Sequence, residues 1–173
     1  SYNSAVSKAS PAVVNIFSEQ LVDKRIDRPE TNIDSIFGEK RNRIRSLGSG
    51  VLFSSDGYIL TNQHVIGDKI INLIVELSDG RKIQAKIVGI DKGTDLAVLK
   101  ADLDGGVYPS IEIEDSDKAQ IGDVVLAIGN PYGLGQSVSM GIISATGREY
   151  ENPYSNYLQT DASINKGNSG GAL

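Results

Sequence analysis

Cysteine and tryptophan are absent from this chain of 173 residues, and histidine and methionine each occur once. The lack of cysteine excludes disulfides, zinc–thiolate sites and a thiol nucleophile, although it does not settle the compartment. A single histidine without cysteine also argues against a transition-metal centre. We therefore expect neither a metal nor a cofactor.

Long apolar runs and basic patches are missing too. No stretch reaches the roughly 18 consecutive apolar residues of a membrane-spanning helix, so any membrane anchor is expected upstream of Ser1. No signal peptide is visible, as in a mature or trimmed chain. The net charge is −5, and no basic patch with interleaved aromatic residues occurs, so nucleic acid is not an expected partner.

Glycine, by contrast, is abundant, with 19 residues, and short apolar, β-branched segments alternate with turn sequences. Short strands separated by regular turns predict an all-β sandwich or barrel. A short helix is predicted over residues 2–10, where Pro11 would end it. Residues 19–45 are rich in charged side chains, which predicts a long solvent-exposed loop, with or without a regulatory role. The predicted strands cover residues 12–18, 47–54, 57–62, 69–77, 82–91, 95–100, 123–129, 136–147 and 156–161.

A serine surrounded by glycines stands out near the end of the sequence, in the segment 167–171, which reads Gly-Asn-Ser-Gly-Gly. Glycine lets the backbone turn sharply and approach a bound group closely. Such a turn can expose the Ser169 hydroxyl beside backbone N–H groups, which is the arrangement that a nucleophile and an oxyanion hole require. We expect the N–H groups of Gly167 and Ser169 to be the oxyanion donors.

A serine nucleophile needs a base, and His64 is the only histidine that could serve. A surface histidine at a strand end, satisfied by water, is the alternative. Among the many acids, Asp95 is the candidate that would orient the imidazole. It opens the apolar segment 95–100, where we expect its carboxylate to be desolvated against the ring. A capping or turn residue after Gly93 and Thr94 is the equal alternative for Asp95.

The order of these residues discriminates between folds. The segment around Ser169 formally matches the G-x-S-x-G elbow of α/β-hydrolases, but that fold needs the order serine, acid, histidine. No histidine follows Ser169. The order His64, Asp95, Ser169 belongs to the chymotrypsin arrangement.

Several ordered segments together resemble the HtrA/Deg family of serine proteases, and the resemblance spans nearly the whole chain. It implies a chymotrypsin-like fold of two six-stranded β-barrels, with His64 and Asp95 on the first barrel and Ser169 on the second. The second barrel would be incomplete in this sequence. The segments that carry the resemblance are residues 47–51, 61–65, 94–99, 129–135, 159–165 and 167–173.

The resemblance also predicts how the chain is divided. The expected parts are an N-terminal helix with the first strand (1–18), a charged loop (19–45), a first barrel (46–102) and a truncated second barrel (103–173). A downstream PDZ domain, absent from this sequence, is implied as the part that binds activating C-terminal peptides by strand addition.

Two branches of the family are represented in the sequence. Residues 61–66 and 141–148 resemble the regulatory branch, which implies a periplasmic homotrimer, anchored to the inner membrane, that cleaves a membrane anti-sigma factor in the envelope stress response. Gly133 and residues 114–117 resemble the degradative branch, which implies quality control of misfolded periplasmic proteins. A peptide-binding chaperone or inactive scaffold on the same fold is the remaining alternative.

Four further residues bear on specificity and control. The resemblance places Ser163, followed by Ile164, where trypsin-like enzymes carry an acid in the specificity pocket, so we expect cleavage after a small apolar residue rather than after arginine. Asn168 stands where digestive proteases carry an activation aspartate, which implies control by loop rearrangement. Arg148 opens a segment that resembles the loop communicating with the PDZ domain. An exposed turn arginine is the equal alternative for Arg148.

Overall fold

The computed structural model describes residues 1–21, 43–102, 105–131, 135–149 and 156–173, and strands dominate these residues. Within them, nine strands carry the fold, which agrees with the all-β prediction. They are β1 (Val13–Leu21), β2 (Arg43–Leu52), β3 (Tyr58–Asn62), β4 (Ile70–Glu76), β5 (Lys82–Asp91), β6 (Leu96–Ala101), β7 (Val124–Gly129), β8 (Ser137–Arg148) and β9 (Tyr157–Thr160).

Helical structure is short. The predicted N-terminal helix is α1 (Asn3–Ala9), and a 3₁₀ turn at Ser10–Ala12 follows it, with Pro11 inside the turn. A one-turn helix, α2 (Gln63–Ile66), follows β3 and was not predicted, because four residues are too few for a helical period. A second 3₁₀ turn lies at Ser116–Lys118. None of the helices in the described ranges is long and apolar enough to cross a membrane.

Strands β1 to β6 close into an antiparallel barrel in the order β1-β2-β3-β6-β5-β4, with β4 pairing back onto β1. The barrel therefore begins at Val13, whereas we expected it to begin at residue 46. The difference arises because β1 takes part in two of the six strand pairings that close the barrel. Residues 19–21 and 43–45 of the predicted loop belong to β1 and β2. The rest of that loop lies outside the described residues.

The interior of the barrel is filled by fully buried aliphatic side chains contributed by successive strands. Burying a side chain of this size contributes about 1.5–3 kcal/mol relative to leaving it exposed. Closure leaves no free sheet edge, so the barrel has a complete core of its own. Members of this core are Val14, Ile16, Leu52, Ile59, Val75 and Leu99.

Strands β7, β8 and β9 form a separate three-stranded antiparallel sheet. Ile128 in β7 and Ile143 in β8 are buried. The described residues do not close this sheet into a barrel, and a row of large apolar side chains on it is exposed. That row consists of Val124, Val138, Met140, Ile142 and Tyr157.

Candidate active site

His64 and Asp95 lie in direct contact at the rim of the closed barrel. The Nδ1 atom of His64 is 2.6 Å from Oδ2 of Asp95. The other carboxylate oxygen, Oδ1, accepts a hydrogen bond from the backbone N–H of His64 at 2.9 Å. An ionised Asp95 would accept a hydrogen bond from a protonated Nδ1 of His64. In that tautomer the other ring nitrogen, Nε2, is the hydrogen-bond acceptor.

The backbone of Asp95 is held in an unusual conformation. Its φ is 56°, and it is the one non-glycine with a positive φ among the described residues. Aspartate tolerates this region better than most residues. The Asp95 carbonyl accepts hydrogen bonds from the Gln63 backbone N–H and from Asn62 Nδ2, each at 3.0 Å. These two hydrogen bonds to one carbonyl oxygen restrain the backbone from which the Asp95 carboxylate projects.

The expectation that Asp95 is desolvated was wrong. The Asp95 side chain is 42% exposed and the His64 side chain 57% exposed. The physical reason is that Asp95 does not lie within β6 but in the turn before Leu96, outside the buried part of the strand. The contact between the two side chains is therefore open to solvent in the described structure.

The turn before Asp95 is built around Asp91. Its two carboxylate oxygens accept hydrogen bonds from the Gly93 N–H and the Thr94 hydroxyl, each at 2.9 Å. The Thr94 hydroxyl, with the Gly93 N–H as a smaller cause, lowers the pKa of Asp91 below its ordinary value. The turn is thus shaped by an ionised side chain.

Helix α2, which carries His64, is pinned at its other end. The Ile66 carbonyl accepts hydrogen bonds from Ser18 Oγ at 2.6 Å and from Gln20 Nε2 at 2.9 Å. Val65 and Ile66 are buried, so the helix is anchored in the core beneath the exposed histidine. An isolated helix of one turn would not be stable, and these tertiary contacts replace the missing helical turns.

The loop that carries Ser169 is a pair of tight turns. Gly167 and Gly170 have φ values of 99° and 81°, a region that favours glycine. The Asn168 N–H donates to the Asn165 carbonyl at 3.0 Å, and the Gly171 N–H donates to the Asn168 carbonyl at 2.8 Å. These turns expose part of Ser169 while Gly167 and Asn168 are buried.

Two contacts attach this loop to the rest of the molecule. Ala172 and Ile128 exchange two backbone hydrogen bonds of 2.9 Å, which continues the β7 edge. The second contact is with Ser49 in β2, whose backbone N–H donates to the Ser169 carbonyl at 2.8 Å. The Ser49 hydroxyl donates to the Gly167 carbonyl at 2.7 Å. The loop is thus attached to both parts of the molecule.

Sequence reasoning missed Ser49 as a functional residue. The signal that could have found it is its placement between Gly48 and Gly50 in the middle of a strand. A Cβ at Gly48 would lie 2.6 Å from Val65, and one at Gly50 would lie 2.7 Å from Ile16. Both glycines are required by close packing, which leaves Ser49 as the one side chain of this triplet.

No hydrogen bond joins Ser169 to His64 within the described parts of the chain. Contacts between a nucleophile and its base are often long in a free enzyme and shorten when substrate binds. Within the described ranges, neither Oδ1 nor Nδ2 of the buried Asn168 side chain has a hydrogen-bond partner.

The remaining predicted residues lie farther along the second sheet. The Ser163 carbonyl accepts a hydrogen bond from Ser139 Oγ at 2.7 Å, and both Ser163 and Ile164 are exposed. Arg148 ends β8, opposite Tyr157 of β9, and is exposed. Residues 150–155, which contain most of the predicted sensor loop, lie outside the described residues, and so does Gly133.

Metal ligands are not gathered anywhere in the described ranges. No three His, Cys, Asp or Glu side chains there are close enough to hold an ion.

The chain matches the family described as trypsin-like peptidase domain over residues 48–173. Its sequence is 53% identical to the serine endoprotease DegS of Escherichia coli K12, over 100% of this chain and 45% of that protein. It is 43% identical to a probable periplasmic serine endoprotease, DegP-like, of Pseudomonas putida F1, over 99% of this chain and 40% of that protein. The chain spans about half the length of the curated relatives it matches.

Solved structures agree with the sequence comparisons. The HtrA-type protease AlgW with decapeptide superimposes with a TM-score of 0.79 and 46% identity, over 99% of this chain and 55% of that one. A serine endoprotease from Yersinia pestis gives a TM-score of 0.73 and 50% identity, over 99% and 52% of the two chains. The fold and the sequence thus define a chymotrypsin-like serine protease domain. Within that class, the chain belongs to the HtrA family, with relatives of both the DegS and the DegP-like kind.

Proposed function

We propose that the protein is a serine endopeptidase in which Ser169, His64 and Asp95 form the catalytic triad. The observation that carries this proposal is the double contact of Asp95 with His64, through the ring at 2.6 Å and through the backbone N–H at 2.9 Å. Such a contact holds the imidazole in one orientation and stabilises its charged form. Membership of a family of serine endoproteases supports the same reaction.

The reaction is acyl transfer. Ser169 Oγ attacks the peptide carbonyl carbon while His64 Nε2 takes the hydroxyl proton. His64 then gives this proton to the leaving amine, and the acyl group stays on Ser169 until water, deprotonated by His64, hydrolyses the ester. The backbone N–H groups of Gly167 and Ser169 hold the oxyanion, and losing one such donor costs roughly 100- to 1000-fold in rate.

Replacing Ser169 tests the proposal directly. We expect Ser169→Ala to abolish peptidase activity, by roughly 10⁶-fold in kcat, with folding intact. A fluorophosphonate should label the wild-type protein at Ser169 and leave Ser169→Ala unlabelled. As a control, Ser139→Ala, which removes a different serine hydroxyl, should still be labelled. Turnover by Ser169→Ala would refute the triad, and peptide binding without turnover by the wild type would favour the chaperone or scaffold.

For specificity we propose that Ser163 and Ile164 form part of the pocket for the residue before the scissile bond. Neither carries a negative charge, so a basic residue would find no partner there. A small apolar residue such as valine or alanine is the expected choice. Peptides that differ only at this residue measure the preference through kcat/KM, and efficient cleavage after arginine would contradict it.

For the biological role we propose a periplasmic protease of the envelope stress response that cleaves a membrane anti-sigma factor. The support is the higher identity with DegS, 53%, than with the DegP-like relative, 43%. Anchoring to the inner membrane, homotrimer formation and activation by C-terminal peptides through a PDZ domain belong to this proposal. Degradation of misfolded periplasmic proteins is the second candidate, and the DegP-like match supports it.

The two roles differ in what they cleave and when. A regulator should cleave one membrane protein and require an activating peptide, whereas a degrader should cleave unfolded proteins generally.

If Arg148 transmits the signal, Arg148→Ala should lose the response to the peptide while keeping basal turnover. An Arg148→Ala protein that still responds fully would assign that arginine to an exposed turn only.

A further inference from the structure

We propose that Ser49 is a positioning residue for catalysis, because it holds the backbone of both predicted oxyanion donors. This inference rests on the proposed function, in which the N–H groups of Gly167 and Ser169 stabilise the oxyanion. The Ser49 hydroxyl binds the carbonyl of Gly167 at 2.7 Å, and the Ser49 backbone N–H binds the carbonyl of Ser169 at 2.8 Å. One residue of the barrel thus contacts both donor residues of the loop.

The two internal turn hydrogen bonds of the loop do not involve the Gly167 carbonyl. Gly167, with φ of 99°, has no side chain to restrict rotation, and glycine samples more backbone conformations than any other residue. A hydrogen bond to its carbonyl restrains ψ of Gly167 and so the angle between its carbonyl and its N–H. The direction of an oxyanion donor is therefore controlled from a rigid strand that lies outside the loop.

Ser49 also makes hydrogen bonds with residues outside the loop. Its hydroxyl also accepts a hydrogen bond from the Asn130 N–H at 2.9 Å, and its carbonyl accepts one from Thr61 Oγ1 at 2.7 Å. The residue is completely buried, so no water replaces these contacts when one is lost. Thr61 in β3 and Asn130 after β7 place the serine at the meeting point of the two sheets.

Packing against this point is close on the loop side as well. A Cβ on Gly170 would collide with the Ser49 carbonyl oxygen and with Thr61 Oγ1. The loop therefore packs so closely against Ser49 and Thr61 that a side chain at Gly170 could not be accommodated without movement. Loss of the Ser49 hydroxyl would leave the Gly167 carbonyl and the Asn130 N–H buried without partners, and rotation of the glycine peptide would relieve that cost.

The test compares Ser49→Ala with a variant that lowers stability elsewhere in the same barrel. Val75→Ala suits this purpose, since Val75 is fully buried in β4 and pairs with Ile16 and Ile83, away from the loop. Both variants are made in the intact protein, together with Ser49→Cys, which keeps the shape but offers only a weak S–H donor. The measurements are kcat and KM for one peptide substrate and the midpoint of thermal unfolding.

We expect Ser49→Ala to lower kcat by about 10- to 100-fold at nearly unchanged KM, as for a small misplacement of catalytic groups. Ser49→Cys should give an intermediate kcat, and Val75→Ala should lower the melting midpoint while keeping the wild-type kcat. If Ser49→Ala fails to fold, the intermediate kcat of Ser49→Cys carries the test. Equal kcat values for wild type, Ser49→Cys and Ser49→Ala would overturn the positioning role.

A merely structural role for Ser49 would also be recognised. In that case Ser49→Ala and Val75→Ala would lose activity in proportion to their unfolded fractions, and kcat per folded molecule would be the same for both. The proposed function fails separately, through turnover by Ser169→Ala. An inactive Ser169→Ala beside a fully active Ser49→Ala would refute the role of Ser49 and leave the triad in place.

Discussion

The closed barrel and the three-stranded sheet divide the candidate site between them in different ways. The barrel has a complete core and places His64 and Asp95 in contact through its own strands and turns. The sheet of β7, β8 and β9 leaves a row of apolar side chains exposed among the described residues. The Ser169 loop that follows it is ordered mainly by contacts with Ser49 and Ile128.

This difference shows that the two parts of the proposed triad are held in place by different interactions. The histidine–aspartate pair rests on apolar packing and on hydrogen bonds within one barrel. The proposed nucleophile, Ser169, is held by a few polar contacts between separate parts of the chain, each worth about 0.5–1.5 kcal/mol. Variants in the barrel should therefore lose stability, whereas variants in the Ser169 loop should lose activity with little loss of stability.

After loss of the Ser169 hydroxyl itself, the largest effect is expected from Asp95→Asn. Asparagine also tolerates the positive φ of this position, so the barrel should fold normally. The neutral amide no longer stabilises a charged imidazole and can favour the wrong tautomer, which should lower kcat by about 10⁴-fold. Peptide kinetics and a urea unfolding curve measure the two properties. A variant that loses stability as well would show that the barrel depends on the carboxylate.

The next effect separates the two cores. Leu99 is fully buried in the barrel, and Leu99→Ala should lower the free energy of unfolding by about 2–5 kcal/mol. Met140 is 58% exposed on the sheet, and Met140→Ala should change it by no more than about 0.5 kcal/mol. Urea unfolding monitors both variants. Similar losses would indicate that the sheet is covered in the intact protein, and the comparison between the regions would then fail.

Docking of the nucleophile loop is tested by alanine at two glycines with similar backbone angles. Gly170 and Gly80 have φ of 81° and 87°, but of the two only a Cβ added at Gly170 would meet other atoms within 4 Å. Gly170→Ala should move the loop away from the barrel and lower kcat by roughly 100-fold. Gly80→Ala should cost only the strain of its φ, about 1 kcal/mol in stability, with the wild-type kcat. Equal activities would mean that loop docking is not required for turnover.

The smallest effect concerns the turn before Asp95. Thr94→Val removes the main cause of the lowered pKa of Asp91, so this pKa should rise toward its ordinary value. Because the folded pKa is depressed, ionised Asp91 stabilises the protein above its unfolded pKa, and this contribution disappears as pH falls through the folded value. NMR titration of the Asp91 carboxyl measures the shift. The pKa of Asp79, lowered by the Arg81 backbone N–H, should stay unchanged as an internal control.

Much of the architecture could be predicted from local patterns. Each described strand overlaps a short apolar segment that is bounded by turn sequences. This is because a half-buried strand requires apolar and polar side chains to alternate along the sequence. The contact between His64 and Asp95 was also predictable, since the chemistry of a serine nucleophile requires those two residue types. The positions of the nine described strands could therefore be predicted from local sequence.

Other features depend on contacts that local sequence does not encode. The barrel takes in β1 because β4 pairs back onto it, which no local pattern indicates. The role of Ser49 arises from a hydrogen bond to Gly167, 118 positions away. The exposure of Asp95 follows from a turn whose geometry depends on the Asp91 side chain, so the apolar run after it was a misleading guide to burial.

Closure of the barrel through β1 and β4 has a consequence for the order of events during synthesis. Strand β1 ends at Leu21, whereas its partner β4 begins only at Ile70, so one edge of β1 stays unpaired for roughly 3 to 10 s on a translating ribosome. An open edge of this kind can pair with other chains. Ser169 is synthesised after the whole barrel, so under the proposed function the nascent chain lacks its nucleophile during the period in which that strand edge is open.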